Sequence, residues 1–172
     1  MIRTLILAML VCLVGCTNRE NKLLEELKPV DKYIAENNIQ LKNIHDSFSL
    51  RLHAFATTYP ANPKSQDYLY TATLLSEKSG RKFETAKWCE EYLNLFPTGH
   101  YQKDAMMRAA FNFEQCGTLD KAIQYYEMVA QKYPKTYDGS SAAQTAKYLK
   151  MGLTTPEAQF EYIQKHKDSG TQ

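Results

Sequence analysis

An aromatic residue followed by proline returns at a fixed interval along this chain. The pairs are Tyr59-Pro60, Phe96-Pro97 and Tyr133-Pro134, each thirty-seven residues after the one before. A glycine keeps step: Gly80 stands twenty residues beyond Pro60, and Gly117 twenty beyond Pro97. Self-similarity at a period of roughly 20–50 residues marks a stack of supersecondary units. Such units bury their apolar faces against their neighbours, so the array presents an extended surface and works through it.

Between the pairs the pattern is helical. Leu119, Ala122, Ile123, Tyr126, Val129 and Ala130 fall on one stripe of an amphipathic helix. Thr118 is placed to cap that helix, and Gly117 to take the left-handed conformation that ends the one before. Pro134 stops it, because the residue before a proline is pushed out of helical geometry. The same reasoning predicts helix pairs at 65–79 with 82–96, 101–116 with 118–133, and 138–151 with 156–167. In the last pair Gly152 marks the turn, and Thr155-Pro156 supplies a cap followed by proline at the first helical position. Its glycine follows Pro134 by eighteen residues instead of twenty, as a modified terminal unit would.

The stretch 22–60 is less regular. Leu27, Ile34, Leu41, Phe48 and Phe55 recur every seven residues, with Val30 and Ile44 between them. Pro29 and Asn37-Asn38 interrupt this seam. A degenerate helix pair, 22–36 and 39–59, is the favoured expectation; a kinked long helix that oligomerises through its heptads is the alternative.

At the N-terminus Arg3 precedes an apolar run, Thr4 to Val14. That run fits a signal-peptide core and is far short of the ~20 residues that span a bilayer as a helix. It ends in Leu13-Val14-Gly15-Cys16, which resembles the lipobox of bacterial lipoproteins. The resemblance implies that residues 1–15 are removed, that Cys16 is lipidated with palmitate-type acyl chains, and that residues 16–21 form a tether. Several acyl chains hold a protein stably at a membrane where one does not. In that family Thr17, with no aspartate beside Cys16, favours the outer membrane.

The chain carries 21 Lys and Arg against 19 Asp and Glu. Loss of Arg3 leaves a net charge of +1, and no block of like charges exists, which argues against a nucleic-acid surface. Cys89 and Cys116 remain in the mature chain. Antiparallel helices joined near Thr98 would set them about 12 Å apart along the axis. That exceeds the reach of a disulfide, so two buried thiols are expected.

The segment Met106–Pro134 resembles a tetratricopeptide repeat. Ala109-Ala110, Phe113, Gly117, Ala122, Tyr126, Val129 and Pro134 stand at the spacings of that motif. Small residues there let helix axes approach, and aromatics fill the gap between helices. The preceding unit keeps Gly80 and Pro97 but has Thr73, Ser76 and Cys89 at packing positions, and its Ala86 comes one residue late. With the lipobox, the chain is similar to the tetratricopeptide lipoproteins of bacterial envelopes (the BamD and CpoB type). The resemblance implies an all-α, right-handed superhelix of antiparallel helix pairs over 61–167, with 168–172 a disordered tail.

No metal-type histidine spacing, phosphate loop or nucleophile elbow occurs. No catalytic residue, cofactor or metal is therefore expected, and pairs such as Glu90-Glu91 and Glu25-Glu26 read as solvated helix faces. In related arrays the first helix of each pair lines a groove. By that resemblance Tyr70, Leu74, Met107 and Phe111 form an apolar strip, with Asp67, Asp104 and Glu114 beside it. The expected partner is another envelope protein, offering a helix or an extended peptide. The chain is then a non-catalytic scaffold, monomeric apart from that partner and anchored on the periplasmic face of the outer membrane. The alternatives are a self-associating structural lipoprotein and a pilus or secretion accessory lipoprotein.

Overall fold

A computed structural model describes residues 18–32, 34 and 47–167. The expected signal segment, Cys16, the expected turn at Asn37-Asn38 and the expected tail lie outside these residues. All regular structure among the described residues is helical: α1 (residues 18–32), α2 (Ser47–Thr58), α3 (Ser65–Lys78), α4 (Lys82–Leu95), α5 (Gln102–Gln115), α6 (Leu119–Lys132), α7 (Tyr137–Lys150) and α8 (Pro156–Lys167). From α3 onward these bounds agree with the expected helices to within a residue or two. No described helix is long and apolar enough to cross a membrane.

The agreement comes from two local devices that the repeat reuses. The first closes each helix at its glycine. Gly117 has φ of +72°, a conformation that costs an L side chain roughly 1–2 kcal/mol and glycine nothing. Its N–H donates to Glu114 O at 2.9 Å, and the Thr118 N–H reaches back to Phe113 O at 2.9 Å. This pair of bonds is a Schellman motif. The turns at Gly80 and Gly152 repeat it, with Arg81 donating to Ser76 O and Leu153 to Tyr148 O.

The second device sits at each aromatic–proline joint. The carbonyls of Tyr59, Phe96 and Tyr133 each accept an N–H from the third residue on: Asn62, Gly99 and Thr136, at 2.9–3.0 Å. The sixth residue on meets the same carbonyl. Ser65 donates its hydroxyl to Tyr59 O at 2.6 Å, and Gln102 its amide to Phe96 O at 3.4 Å. At the third joint that place is Gly139, whose missing side chain lets the backbone close on Tyr133 O.

The chain divides into two compact units, residues 1–81 and 82–172. In the first, α2 packs on α3, and α1 lies along α2 with Leu23 and Leu27 beside Phe55. The rings of Phe55 and Tyr68 meet edge to face at 5.4 Å. Asp31 on α1 accepts the Tyr68 hydroxyl at 2.6 Å and pairs with Lys64 at 2.5 Å, which ties α1 to α3. The heptad residues Leu27 and Phe55, with Val30 between the repeats, are buried here.

In the second unit α4 packs on α5, α5 on α6, and α6 on α7. The α5 crossing is made of Ala105, Ala109 and Ala110, all fully buried. Around them Phe113, Tyr92 and Val129 fill the space between helices, each worth about 1.5–3 kcal/mol of burial.

Three expectations need correction. The stretch assigned to a tether is already helical from residue 18, and Glu20 accepts a hydrogen bond from Asn62. Thr118 makes no side-chain cap, because the Schellman closure draws its backbone back toward Phe113. Thr136 and Thr155 do cap, accepting the N–H groups of Gly139 and Ala158. Finally, both thiols are free, but only Cys89 is buried; Cys116 sits at the exposed end of α5.

Candidate functional site

The expected strip divides between the two units. Asp67, Tyr70 and Leu74 lie on α3 in the first, and Asp104, Met107, Phe111 and Glu114 on α5 in the second. Tyr70 does not belong to an exposed strip: only 9% of it is accessible, because α3 is buried around most of its circumference. Leu74 is half-buried. Asp67 lines a small concavity with Asp31, Ile34, Lys64 and Tyr68.

On α5 the geometry is more favourable. Asp104, Met107, Phe111 and Glu114 follow at helical spacing along one face, opposite the buried alanines. Phe111 is 49% exposed and Met107 half-buried. An aromatic ring held half out of a rigid helix loses little conformational freedom on binding.

The carboxylates beside this patch are already engaged. Asp104 accepts from Arg108 Nε at 2.9 Å, one turn along the helix. Glu114 accepts the Tyr126 hydroxyl at 2.7 Å, across the α5–α6 hairpin. Desolvation, followed by that hydrogen bond and the Glu114 charge, pushes the Tyr126 phenol far above its ordinary range, so the proton stays on tyrosine. Glu114 thus helps to close the hairpin. Met107 and Phe111 are left as an apolar patch on α5 with neutralised surroundings.

The sequence missed the most connected acidic group. Glu90, expected on a solvated face, has a side chain only 16% exposed. It accepts from Lys121 at 2.5 Å, Lys87 at 2.9 Å and the Tyr125 hydroxyl at 3.2 Å. Lys121 also lies 4.9 Å from the centre of the Phe113 ring, which stacks on Tyr125. Burial alone would raise the Glu90 carboxyl; hydrogen bonds and charge from Lys121 and Lys87 outweigh it and hold the pKa below its ordinary value. The signal available in the sequence was Lys87 one turn before Glu90. The α6 partners lie more than thirty residues on and left no local trace. This cluster clasps α4 to α6 and is saturated by its own lysines. No group of three or more His, Cys, Asp or Glu among the described residues could hold a metal ion.

Comparison with family models, curated proteins and solved structures finds no match to this chain.

Proposed function

We propose that this chain is a lipid-anchored scaffold of the bacterial envelope, built on tetratricopeptide-like helix pairs, that captures another envelope protein on α5. The reading rests on one observation: α5 buries its alanine face completely while holding Met107 and Phe111 out on the other side. The lipobox-like Leu13-Val14-Gly15-Cys16 supports an anchor, with the periplasmic face of the outer membrane as the address. The repeated turns and joints support a role carried by surface, not by reactive groups. The self-associating alternative needs the heptad residues at an intermolecular seam, and Leu27 and Phe55 are already spent inside the first unit.

The test is crosslinking in bacterial envelopes from a photoreactive residue at Gln115, close to the patch. The wild-type chain should give one discrete adduct, and Met107→Glu with Phe111→Glu should abolish it while circular dichroism stays unchanged. Cys16→Ser should move the chain out of the membrane fraction. An undiminished adduct in the double variant would remove the α5 surface from consideration.

A further inference from the structure

We infer that the α5 patch takes a helix, which lies across Phe111 as α8 lies on α7 and meets it with an uncharged stripe bearing an aromatic ring. This rests on α5 being the capture surface, and it names what is captured. Within the second unit α5 and α7 are equivalent at an offset of thirty-seven residues. Gln102 and Gly139 hold the same place at their joints, and the buried Ala105 and Ala109 return as Ala142 and Ala146. Yet the helices that follow leave on different sides. On α5, Met106, Ala110 and Phe113 are buried, and Phe113 stacks on Tyr125 of α6. Their counterparts on α7 are Ala143, Lys147 and Lys150, which line an open cleft beside Ala130. Phe111 shows the reverse. It is 49% exposed, whereas its counterpart Tyr148 is buried, with its ring edge to face against Tyr162 of α8.

The cause is the length of α7. Gly152 follows Pro134 by eighteen residues, where Gly117 follows Pro97 by twenty. Each residue turns an α-helix by about 100°, so a helix two residues shorter releases the chain about 200° away in direction. α8 is thereby carried from the side that α6 takes on α5 to the face that bears Tyr148. The same face of α5, with Met107 and Phe111, is bare. The molecule thus shows, on its own equivalent surface, what covers it. The half-buried residues of α8, Ala158, Gln159 and Tyr162, carry no charge, while Glu157, Glu161 and Lys165 stay exposed. The α5 face suits such a stripe. Asp104 is held by Arg108 and Glu114 by Tyr126, and Met107 stands where α7 has Gln144. An extended peptide would leave its N–H and C=O groups without partners here, because the backbone of α5 is bonded within its own helix. A helical partner satisfies its own.

The probe is a labelled peptide of α8 itself, Thr154–Lys167, held helical by a hydrocarbon staple in place of the exposed Glu157 and Glu161 side chains. Fluorescence anisotropy follows its binding to the mature chain, with Cys16→Ser to prevent acylation. Saturable binding is expected. Met107→Glu with Phe111→Glu in the chain should weaken it at least about tenfold, with unchanged circular dichroism. Tyr162→Ala in the peptide should weaken it as much. So should Gln164→Pro, which breaks the helix outside the contact stripe. Absence of binding overturns the proposal, as does binding indifferent to Phe111 or to Gln164→Pro. The envelope adduct from Gln115 tells this failure from failure of the capture surface. An adduct lost in the double variant, with no peptide bound, leaves the α5 surface standing and removes the helical partner. An adduct that persists removes the surface as well.

Discussion

Gly139 stands so close to the carbonyl of Tyr133 that a Cβ on it would lie 1.9 Å from that oxygen. No real contact is so short, and the obstacle is backbone, so the first turn of α7 would have to move away from the joint. That turn is fixed by the Thr136 cap.

Gly139→Ala should therefore destabilise the protein despite the better helix propensity of alanine. Propensity favours alanine by up to about 1 kcal/mol. Overpacking against fixed backbone costs about 1–3 kcal/mol and should win, for a net loss of about 1–2 kcal/mol. Urea unfolding followed by circular dichroism measures it. A stabilised variant would show that the joint yields freely.

Glu90→Gln should cost about 1–2 kcal/mol at neutral pH, since charge-assisted bonds from Lys87 and Lys121 are weakened together, partly screened at the lysine ends. The pH dependence follows from the direction of the shift. The folded carboxyl titrates below its ordinary value of 4.5, so its contribution is full above that value and fades as the pH falls through it toward the folded pKa. Wild type and variant should converge in acid. A difference that persists in acid, once the carboxyl is protonated in both states, would mean that the loss is one of packing.

The two thiols should separate kinetically. Cys116 is exposed at the end of α5 and Cys89 is fully buried on α4. A thiol reagent should modify Cys116 at once and Cys89 at least ~1,000-fold more slowly, at the rate at which α4 opens. Mass spectrometry of the labelled peptides reads both rates. Equal rates would indicate that α4 is loosely held.

Helix limits were legible because glycine and proline act on their own neighbours. Gly117 needs only its φ, and Pro134 only the residue before it. The side-chain partners were less legible, because they depend on registry between helices. Glu114 looked like a free carboxylate because Tyr126 reaches it only once the hairpin is closed. Tyr70 looked like Met107, its equivalent thirty-seven residues on, and differs because α3 is enclosed where α5 is not. Cys116 reads as a core thiol only because a disulfide with Cys89 is out of reach. The helix ends at Gln115, and the closing turn carries the cysteine outward.

The joints carry a consequence for the size of the protein. One carbonyl accepts the sixth residue as serine or glutamine at the first two joints, where the next helix begins at that residue; at the third it closes on Gly139, and α7 begins two residues sooner, at Tyr137. The joints are thus strict about their count, while the closing residue is serine or glutamine at the first two and has room only for glycine at the third. A block cut from Pro97 to Tyr133 begins and ends at equivalent points. A second copy placed before Pro134 should thread into the stack as a further helix pair, leaving the ends of the molecule as they are. Length in this chain is an adjustable quantity, set by how many times a thirty-seven-residue phrase is spoken.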